Sequence, residues 1–359
     1  MTLSRLITMD DEQTEPADNL IREKLAASRF QHENPPPLEP PVMLVADVEV
    51  AHAGNIVVIE GPNKSGKTAF YGAGIAAILG KNTGDCLGWE SDENPNGGAV
   101  LHFDSEQSRG DHDGVIRKAL ARAGLNEKPA WFDSYCLTGW ELSDSRKAIR
   151  VAMDDAKSAC GGIHSLWIDG GADFIMSVND EVEATGWVRE LHAIATDYAC
   201  PVFVVVHLNP AGQAGLEKSR GHFGSQIDRK AETVIRITKN EDEVSNVSTR
   251  YARRAPILPD NGPQFAFNHA EGMHTAVAIR KDAKAEKSRG ELMDLAQYAL
   301  GDSSCPLGMP WREVANRINE RLTIGGKAPS TRTVERRITT LAEARIIKKL
   351  DSGNYVFTP

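Results

Sequence analysis

The residues best suited to chemistry lie in one short loop that begins at Gly61. Gly61–Thr68 reads Gly-Pro-Asn-Lys-Ser-Gly-Lys-Thr and satisfies every defined position of the phosphate-loop pattern G-x-x-x-x-G-K-[ST]. An apolar, β-rich run precedes this phosphate loop and a helical run follows it, so a chance glycine-rich turn is a poor explanation. The residues expected to contact a nucleotide are Gly61, Pro62, Asn63, Lys64, Ser65, Gly66, Lys67, Thr68 and Ala69.

The composition of the phosphate loop indicates how a nucleotide would be held. Glycines let the backbone approach phosphate closely, so that successive amides and the first turn of the following helix point at the negative charge. In this pattern the ammonium group of Lys67 reaches the β- and γ-phosphates, and the hydroxyl of Thr68 is a ligand for Mg²⁺. The sequence therefore predicts ATP and Mg²⁺ as cofactors.

Three further polar residues come at or just after the ends of predicted strands. Glu106 follows the run 98–104, Asp169 ends the run 165–169, and His207 ends a strongly apolar run that begins at residue 201. In an open α/β sheet the carboxyl ends of the strands form the edge where ligands bind. We therefore expect Glu106 to polarise the attacking water, Asp169 to anchor Mg²⁺ through water, and His207 to sense the γ-phosphate.

Each of these three residues also has a simpler interpretation. Asp169 could cap a helix, Glu106 could be a solvated carboxylate, and His207 could be a hydrogen-bonded histidine of the core. Asp104 competes with Glu106 for the catalytic role, and Asp173 competes with Asp169 for the magnesium role. The sequence leaves these alternatives open because they differ only in geometry.

Alternating strands and helices are expected to position these residues. Predicted strands at 56–60, 98–104, 165–169 and 201–207 alternate with predicted helices at 67–79, 111–123, 146–159 and 181–198. Continuous apolar runs between helices are typical of parallel strands that are covered on both faces. After Ala231 the pattern changes to consecutive strands or hairpins at 233–238, 247–252 and 264–268. The predicted fold class is α/β, with a mainly parallel central sheet.

Changes in composition divide the chain into four segments. Residues 1–42 form an N-terminal arm with a short helical run and a Pro-rich connector, and 43–280 form the α/β core. Residues 281–289 are a charged linker, and 290–359 are a separate C-terminal domain. The arm is either a frayed terminus or a segment that docks on a neighbouring subunit, and the sequence does not separate these alternatives.

The C-terminal segment has the pattern of a winged-helix domain. Helices are predicted at 290–300, 311–321 and 330–344, and a hairpin follows at 346–357. The third helix carries Arg332, Arg336 and Arg337, with an apolar side formed by Val334, Ile338 and Leu341. In helix-turn-helix proteins such a helix enters the major groove, which predicts DNA as a partner. Winged helices also bind proteins, so that alternative stays open.

Charge and composition set limits on the partners of this protein. The 359 residues carry a net charge of −9, yet residues 284–359 carry +4 and the remainder carries −13. An acidic body argues against a wholly basic nucleic-acid surface but allows a local basic region. The sequence has no apolar run long enough to cross a membrane and no secretory pattern at its start, so no membrane partner is expected. The five cysteines are widely scattered, which argues against a zinc site or disulfide framework and predicts a cytoplasmic protein.

The order of these motifs resembles the RecA/DnaB superfamily of P-loop ATPases. The phosphate loop is followed by a strand with Glu106, a strand with Asp169 and a strand with His207, and the segment 220–228 is similar to the Arg-Gly-Ser-rich segment of plasmid RepA-type hexameric helicases. KaiC-like ATPases are more distant relatives by this pattern. The resemblance covers about residues 43–280. It implies a RecA-like core and a ring or filament with ATP sites between identical subunits.

The same resemblance implies that an arginine is supplied by the neighbouring subunit. DnaB-like proteins carry a Lys-x-Arg pair on a strand before a Pro-containing turn, and this pattern places the arginine at Arg253. Tyr251 stands where the pattern has lysine, and Arg250, Arg254 and the Arg229-Lys230 pair are alternatives. Such an arginine stabilises the charge that develops during phosphoryl transfer.

Three functional hypotheses remain at the level of sequence. The first is an oligomeric DNA-handling motor, comparable to a RepA/DnaB-like helicase of a plasmid or mobile element, with a replication or recombination protein as a further partner. Its pore loops would be 170–179 and 209–219, which carry little positive charge and therefore favour a second hypothesis, a regulatory ATPase switch. The third is a recombination or repair ATPase that assembles into filaments.

Overall fold

The computed structural model describes most of the chain, in two units that are considered separately. The described residues are 16–30, 32–33, 35, 39–80, 84–91, 94, 97–208, 221–277, 290, 292–301, 308–323, 328–343, 346–350 and 352–357. The units are Met1–Pro40 and Pro41–Pro359. The predicted linker 281–289 and the predicted pore loop 209–219 lie outside the described residues.

A nine-stranded sheet forms the centre of the second unit. Its strands are β3 (Ile56–Gly61), β5 (Ala99–Asp104), β6 (Phe132–Cys136), β7 (Ile163–Asp169), β8 (Val202–His207), β9 (Thr233–Lys239), β10 (Ser245–Ala252), β11 (Gln264–Asn268) and β12 (Met273–Ala276). Their order across the sheet is β12-β11-β10-β9-β3-β8-β7-β5-β6. The strands from β9 to β6 in this order are parallel, whereas β10, β11 and β12 are antiparallel. The predicted α/β class with a mainly parallel sheet is confirmed.

Helices cover both faces of this sheet. They are α2 (Lys67–Leu79), α3 (Arg109–Arg122), α4 (Leu142–Cys160), α5 (Glu181–Asp197) and α6 (Gly221–Lys230), with a 3₁₀ turn at Gly171–Phe174. Successive side chains of a strand point to opposite faces, so the central strands contribute side chains to two apolar cores. Val58 and Val204 belong to the core beneath α4 and α5, and Val57 and Val205 belong to the core beneath α2. Both faces are apolar, as the continuous apolar runs predict.

The structure contains strands that the sequence pattern does not reveal. A separate three-stranded antiparallel sheet consists of β1 (Pro41–Val45), β2 (Val48–His52) and β4 (Trp89–Ser91). Edge strand β6 and helix α6 are also absent from the predicted elements. Strand β6 reads Phe-Asp-Ser-Tyr-Cys, in which only Phe132 is buried, so its apolar signal is too weak to identify it. Helix α6 contains two glycines, which lower helical propensity.

The C-terminal part of the second unit has its own small apolar core. A helix over 292–300 (α7), α8 (Trp311–Leu322) and α9 (Thr331–Glu343) precede a hairpin of β13 (Ile347–Lys349) and β14 (Tyr355–Phe357). Val334, Ile338 and Leu341 are buried in this core, whereas Arg332, Arg336 and Arg337 are exposed. A single ladder contact joins Met309 to Tyr355. The predicted division of α9 into an apolar side and a basic side is therefore present.

The first unit contains one described helix, α1 (Pro16–Ala27). Its apolar residues Leu20, Ile21 and Leu25 are all more than half exposed. Among the described residues of the whole chain, no helix is both long and apolar enough to span a membrane.

Candidate functional site

The phosphate loop joins the end of β3 to the start of α2, where its pattern predicts it. Lys64 and Gly66 both have positive φ, at 64° and 98°. Only glycine adopts such a conformation without strain, and at residue 66 there is also no room for a side chain. A Cβ atom there would lie 2.7 Å from the ring of Phe265. Gly66 is thus required both by the turn and by the packing of β11 against it.

The ammonium group of Lys67 is held inside the loop. Its Nζ donates to the carbonyl oxygens of Gly61 and Pro62, both at 2.9 Å, and lies 3.2 Å from Nδ1 of His207. Burial lowers the pKa of Lys67, and the nearby carboxylates of Glu106 and Asp169 oppose that shift. An ammonium group has three protons to donate, so these partners use all of them.

His207 connects the phosphate loop to Glu106. Gly61 and His207 are paired in the register of β3 and β8, which places the two strand ends side by side. Because Lys67 can only donate, Nδ1 of His207 must accept, and the ring proton is therefore on Nε2. This Nε2 lies 2.8 and 2.9 Å from the two carboxylate oxygens of Glu106. The result is a continuous hydrogen-bonded chain from Lys67 through His207 to Glu106.

The geometry distinguishes Glu106 from its competitor Asp104. Asp104 is fully buried and accepts hydrogen bonds from the backbone amides of Glu106 and Gln107, both at 3.0 Å. Its second oxygen lies 3.1 Å from Nδ1 of His112. Burial by itself would raise the pKa of Asp104, but these hydrogen bonds and the nearby His102 hold it below its usual value. Asp104 therefore shapes the turn that presents Glu106 to the cavity.

Asp169 lies opposite Asp104 in the register of β7 and β5, and it is almost fully buried. Burial, together with the charges of Glu106 and Asp104, raises its pKa to about 7, and hydrogen bonds from Tyr71 and Gln107 oppose the rise. Its competitor Asp173 accepts a hydrogen bond from Ser105 at 3.0 Å. Of the two aspartates, Asp169 lines the cavity described next.

A cavity of about 410 Å³ brings the predicted residues together. Its described lining comprises Lys64, Gly66, Lys67, Thr68, Ala69, Glu106, Asp169, His207, Lys239, Phe267 and His274. A second, mostly apolar space of about 150 Å³ adjoins it between α2 and α3 and shares Thr68, Ala69 and His274 with it. One wall is therefore phosphate-binding and charged, and the neighbouring space is apolar.

Lys239, Phe267 and His274 are the members of this site that sequence reasoning missed. They come from β9, β11 and β12, which the chain reaches long after the phosphate loop. Lys239 is paired with Glu243 across the β9–β10 turn. Arg122 of α3 donates to the carbonyl of His274 at 2.5 Å, which holds β12 close to the helices. A sequence signal for these residues does not exist, because their proximity depends on the antiparallel extension of the sheet.

The donor set suits Mg²⁺ bound together with a nucleotide. Thr68 and Asp169 line the same cavity and offer one hydroxyl and one carboxylate. Within the described parts of the chain, no group of three or more His, Cys, Asp or Glu could hold a metal ion by itself. Mg²⁺ commonly binds through one or two protein oxygens, with water and substrate phosphates completing its octahedron. These residues therefore fit a magnesium ion that arrives with phosphate.

Arg253 lies near the amino ends of the parallel strands, whereas the phosphate loop of the same chain lies at their carboxyl ends. It follows Ala252, which pairs with Thr233 beside the amino end of β3. Its guanidinium group donates to the side chain of Asn55 at 3.2 Å and to the carbonyl of Lys230 at 3.0 Å. Arg250, one of the alternatives, forms ion pairs with Glu60 at 3.3 Å and Asp228 at 2.9 Å. Arg253 is therefore the more exposed of the two, and its action on a neighbouring subunit stays a prediction.

Comparison with known protein families agrees with this geometry. A family model described as AAA domain matches residues 20–213, which is more than half of the chain. The matched range contains the phosphate loop, Glu106, Asp169 and His207. A search of curated proteins found no match. The fold, the phosphate loop and this match together show that the chain belongs to the AAA domain family and is a P-loop ATPase.

Proposed function

We propose that this protein is the subunit of an oligomeric, ATP-driven DNA-handling motor, similar to the RepA and DnaB type of helicase in plasmids or other mobile elements. The observation that carries the proposal is the hydrogen-bonded chain Lys67–His207–Glu106. It joins the phosphate-binding lysine to a carboxylate through a histidine that only Leu208 separates from the 209–219 segment. Such a chain supplies a physical route from hydrolysis to movement.

The proposed catalytic roles follow from the positions of these groups. The amides of the phosphate loop and Lys67 bind the phosphates, and Glu106 orients and deprotonates the attacking water. Thr68 and Asp169 hold Mg²⁺, which when bound neutralises phosphate charge. The apolar space beside Gly72 and Ala73 receives the nucleobase.

His207 is the proposed sensor of the γ-phosphate. Lys67 can donate to phosphate only by giving up one of its three protein acceptors, because all its protons are in use. When the hydrogen bond between Lys67 and Nδ1 of His207 is lost, the imidazole can move with Glu106 or toward the phosphate. The position of His207 then depends on the state of the nucleotide.

The turn around Gly170 allows a direct test of how tightly Glu106 must be positioned. Gly170 has φ +81°, and a Cβ atom there would lie 2.2 Å from Ser105 Oγ and 2.8 Å from Cγ of Glu106. Gly170→Ala is expected to displace Glu106 and lower ATP turnover by about 10²-fold, since a misplacement of about 1 Å has that effect. Nucleotide affinity, measured with a fluorescent ATP analogue, should change little.

Gly161→Ala is the matched control for this substitution. Gly161 has φ +76° but open space around its Cβ position, so it introduces the backbone strain alone. Equal turnover in both variants would refute the positioning of Glu106 by this turn.

The C-terminal elements are proposed to form a winged-helix domain that binds DNA through α9. Three exposed arginines lie on one side of α9, and none of the ion pairs formed among the described residues includes them. Exposed arginines on a helix are suited to phosphate oxygens. This arrangement supports DNA as the partner, because guanidinium groups on one side of a helix can contact successive phosphates.

Removing this basic face is expected to weaken DNA binding and its salt dependence. The triple variant has Arg332, Arg336 and Arg337 replaced by alanine. If all three contact phosphates, the slope of log affinity against log salt should fall by about 3. Fluorescence anisotropy with labelled duplex DNA at several salt concentrations measures both quantities.

A charge-matched control replaces three exposed basic residues of the ATPase core, namely Lys147, Lys157 and Arg189. An equal loss of affinity in both triple variants would show that the effect is due to net charge and would refute the α9 interface.

A regulatory ATPase switch is the second proposed function. The described loop 170–179 contains no Lys or Arg, so that part of a pore would attract DNA weakly. The two functions differ in a strand-displacement assay on a forked duplex with ATP. A motor displaces the strand and hydrolyses ATP faster with single-stranded DNA, whereas a switch hydrolyses ATP without displacement.

A further inference from the structure

A line of hydrogen-bonded polar side chains runs from β5 through β6 and α3 to the turn that carries Glu106. It begins at His102, whose Nδ1 lies 2.8 Å from the hydroxyl oxygen of Ser134. That oxygen lies 3.1 Å from Nε2 of His112, and Nδ1 of His112 lies 3.1 Å from Asp104. His102 and Asp104 are fully buried and His112 is nearly so. The two ends of the line are therefore shielded from water, whereas Ser134 in its middle is half-buried and lines a cavity together with His112.

The proton positions in this line follow from its end at Asp104. An ionised carboxylate only accepts, so Nδ1 of His112 carries a proton, and in the neutral imidazole Nε2 then accepts from the hydroxyl of Ser134. Ser134 then accepts from Nδ1 of His102. Every hydrogen bond is donated in the same direction, from β6 and β5 toward the turn, and such chains strengthen each member.

The orientation of the Asp104 carboxylate affects both Glu106 and Asp169. Its other oxygen accepts the amides of Glu106 and Gln107, both at 3.0 Å. The side chain of Gln107 lies 3.3 Å from a carboxylate oxygen of Asp169, while Glu106 faces His207. A rotation of the Asp104 carboxylate would therefore move the base and loosen a contact of the magnesium anchor at the same time.

We propose that His112 is a positioning residue for ATP hydrolysis, which fixes the carboxylate of Asp104 and thereby the orientation of Glu106. This inference rests on the proposed ATPase site. His112 is not among the described residues that line the cavity, and of its side-chain hydrogen-bond partners Asp104 and Ser134 only Asp104 contacts the turn of Glu106, so its effect on the site passes through Asp104. Without the donor on Nδ1, Asp104 keeps its two backbone amides but loses the contact that sets its plane.

The test compares two amide substitutions of similar polarity. In His112→Asn the amide nitrogen takes the place of Nδ1 and can still donate to Asp104. In His112→Gln the amide nitrogen takes the place of Nε2 and can reach Ser134 instead. We expect turnover close to wild type for the asparagine variant and about 10²-fold lower turnover for the glutamine variant, with unchanged affinity for ATP in both. His164→Asn, a substitution of a histidine on β7 that pairs with Ser165, is the control for loss of a partly buried ring.

Two further measurements separate positioning from a general loss of structure. Thermal unfolding should give similar midpoints for the asparagine and glutamine variants, and His112→Gln should cause no further loss in a Glu106→Gln background. Equal turnover of the two His112 variants, or an additive loss in that background, would overturn the inference. If instead wild type and Glu106→Gln hydrolyse ATP equally, the proposed ATPase site itself fails.

Discussion

Glu106→Gln is expected to reduce ATP hydrolysis by about 10²- to 10⁴-fold while leaving nucleotide binding intact. The glutamine oxygen can still accept from Nε2 of His207, which lies 2.8 Å from the glutamate oxygen, so the side chain should keep its position. What it loses is the ability to take a proton from water. Turnover should be measured with and without single-stranded DNA, at low and moderate salt.

The DNA dependence of the same experiment tests the coupling. Stimulation by DNA in the wild type that disappears with Glu106→Gln would support a motor, and indifference to DNA at both salt concentrations would refute it. Glu141→Gln, at an exposed carboxylate before α4, is the matched control and should hydrolyse ATP like the wild type. Normal turnover by the Glu106→Gln protein would show that another group activates the water.

Lys67→Ala is expected to weaken ATP binding and to lower the rate of hydrolysis strongly. The substitution removes a buried cation that lies near Glu106 and Asp169, so the phosphates would face two carboxylates without compensation. Loss of one such charged donor lowers turnover by about 10²- to 10³-fold. The affinity for ATP, measured by calorimetry with Mg²⁺ present, should fall as well.

Lys64→Asn provides the matched control in the same loop. Lys64 is exposed and has φ 64°, a conformation that asparagine tolerates better than most residues. Its backbone amide remains, so the affinity for ATP should fall less than it does with Lys67→Ala. An equal loss for both variants would mean that the loop responds to net charge, and that the buried position of Lys67 has no special role.

Local features of the sequence were sufficient to predict the phosphate loop. A glycine pattern, the strand before it and the helix after it are all decided within about twenty residues, and the loop amides follow from them. The strand-end positions of Asp169 and His207 could also be predicted. In a parallel sheet every strand that follows a helix ends at the same edge, so residues far apart in sequence must meet there.

The choice between Glu106 and Asp104 depended on tertiary structure. Both are acidic residues near the end of β5, and nothing local distinguishes them. Asp104 contacts His112 on α3, which gives it a structural position. Glu106 contacts His207 on β8, which places it in the cavity. The trans role of Arg253 is still a prediction, because it depends on a second copy of the chain.

Strand β6, helix α6 and the contribution of the β11–β12 hairpin to the site needed the fold as well. Strand β6 pairs with β5 through backbone hydrogen bonds, which do not require a particular side-chain pattern and so are not visible in the sequence. Phe267 and His274 reach the cavity only because β9, β10, β11 and β12 extend the sheet beyond the phosphate-loop strand. The sequence by itself therefore determined the phosphate-binding chemistry and the parallel core, since both follow from local patterns. Tertiary structure alone decided which acidic group faces the cavity, because that depends on contacts between residues distant in the chain.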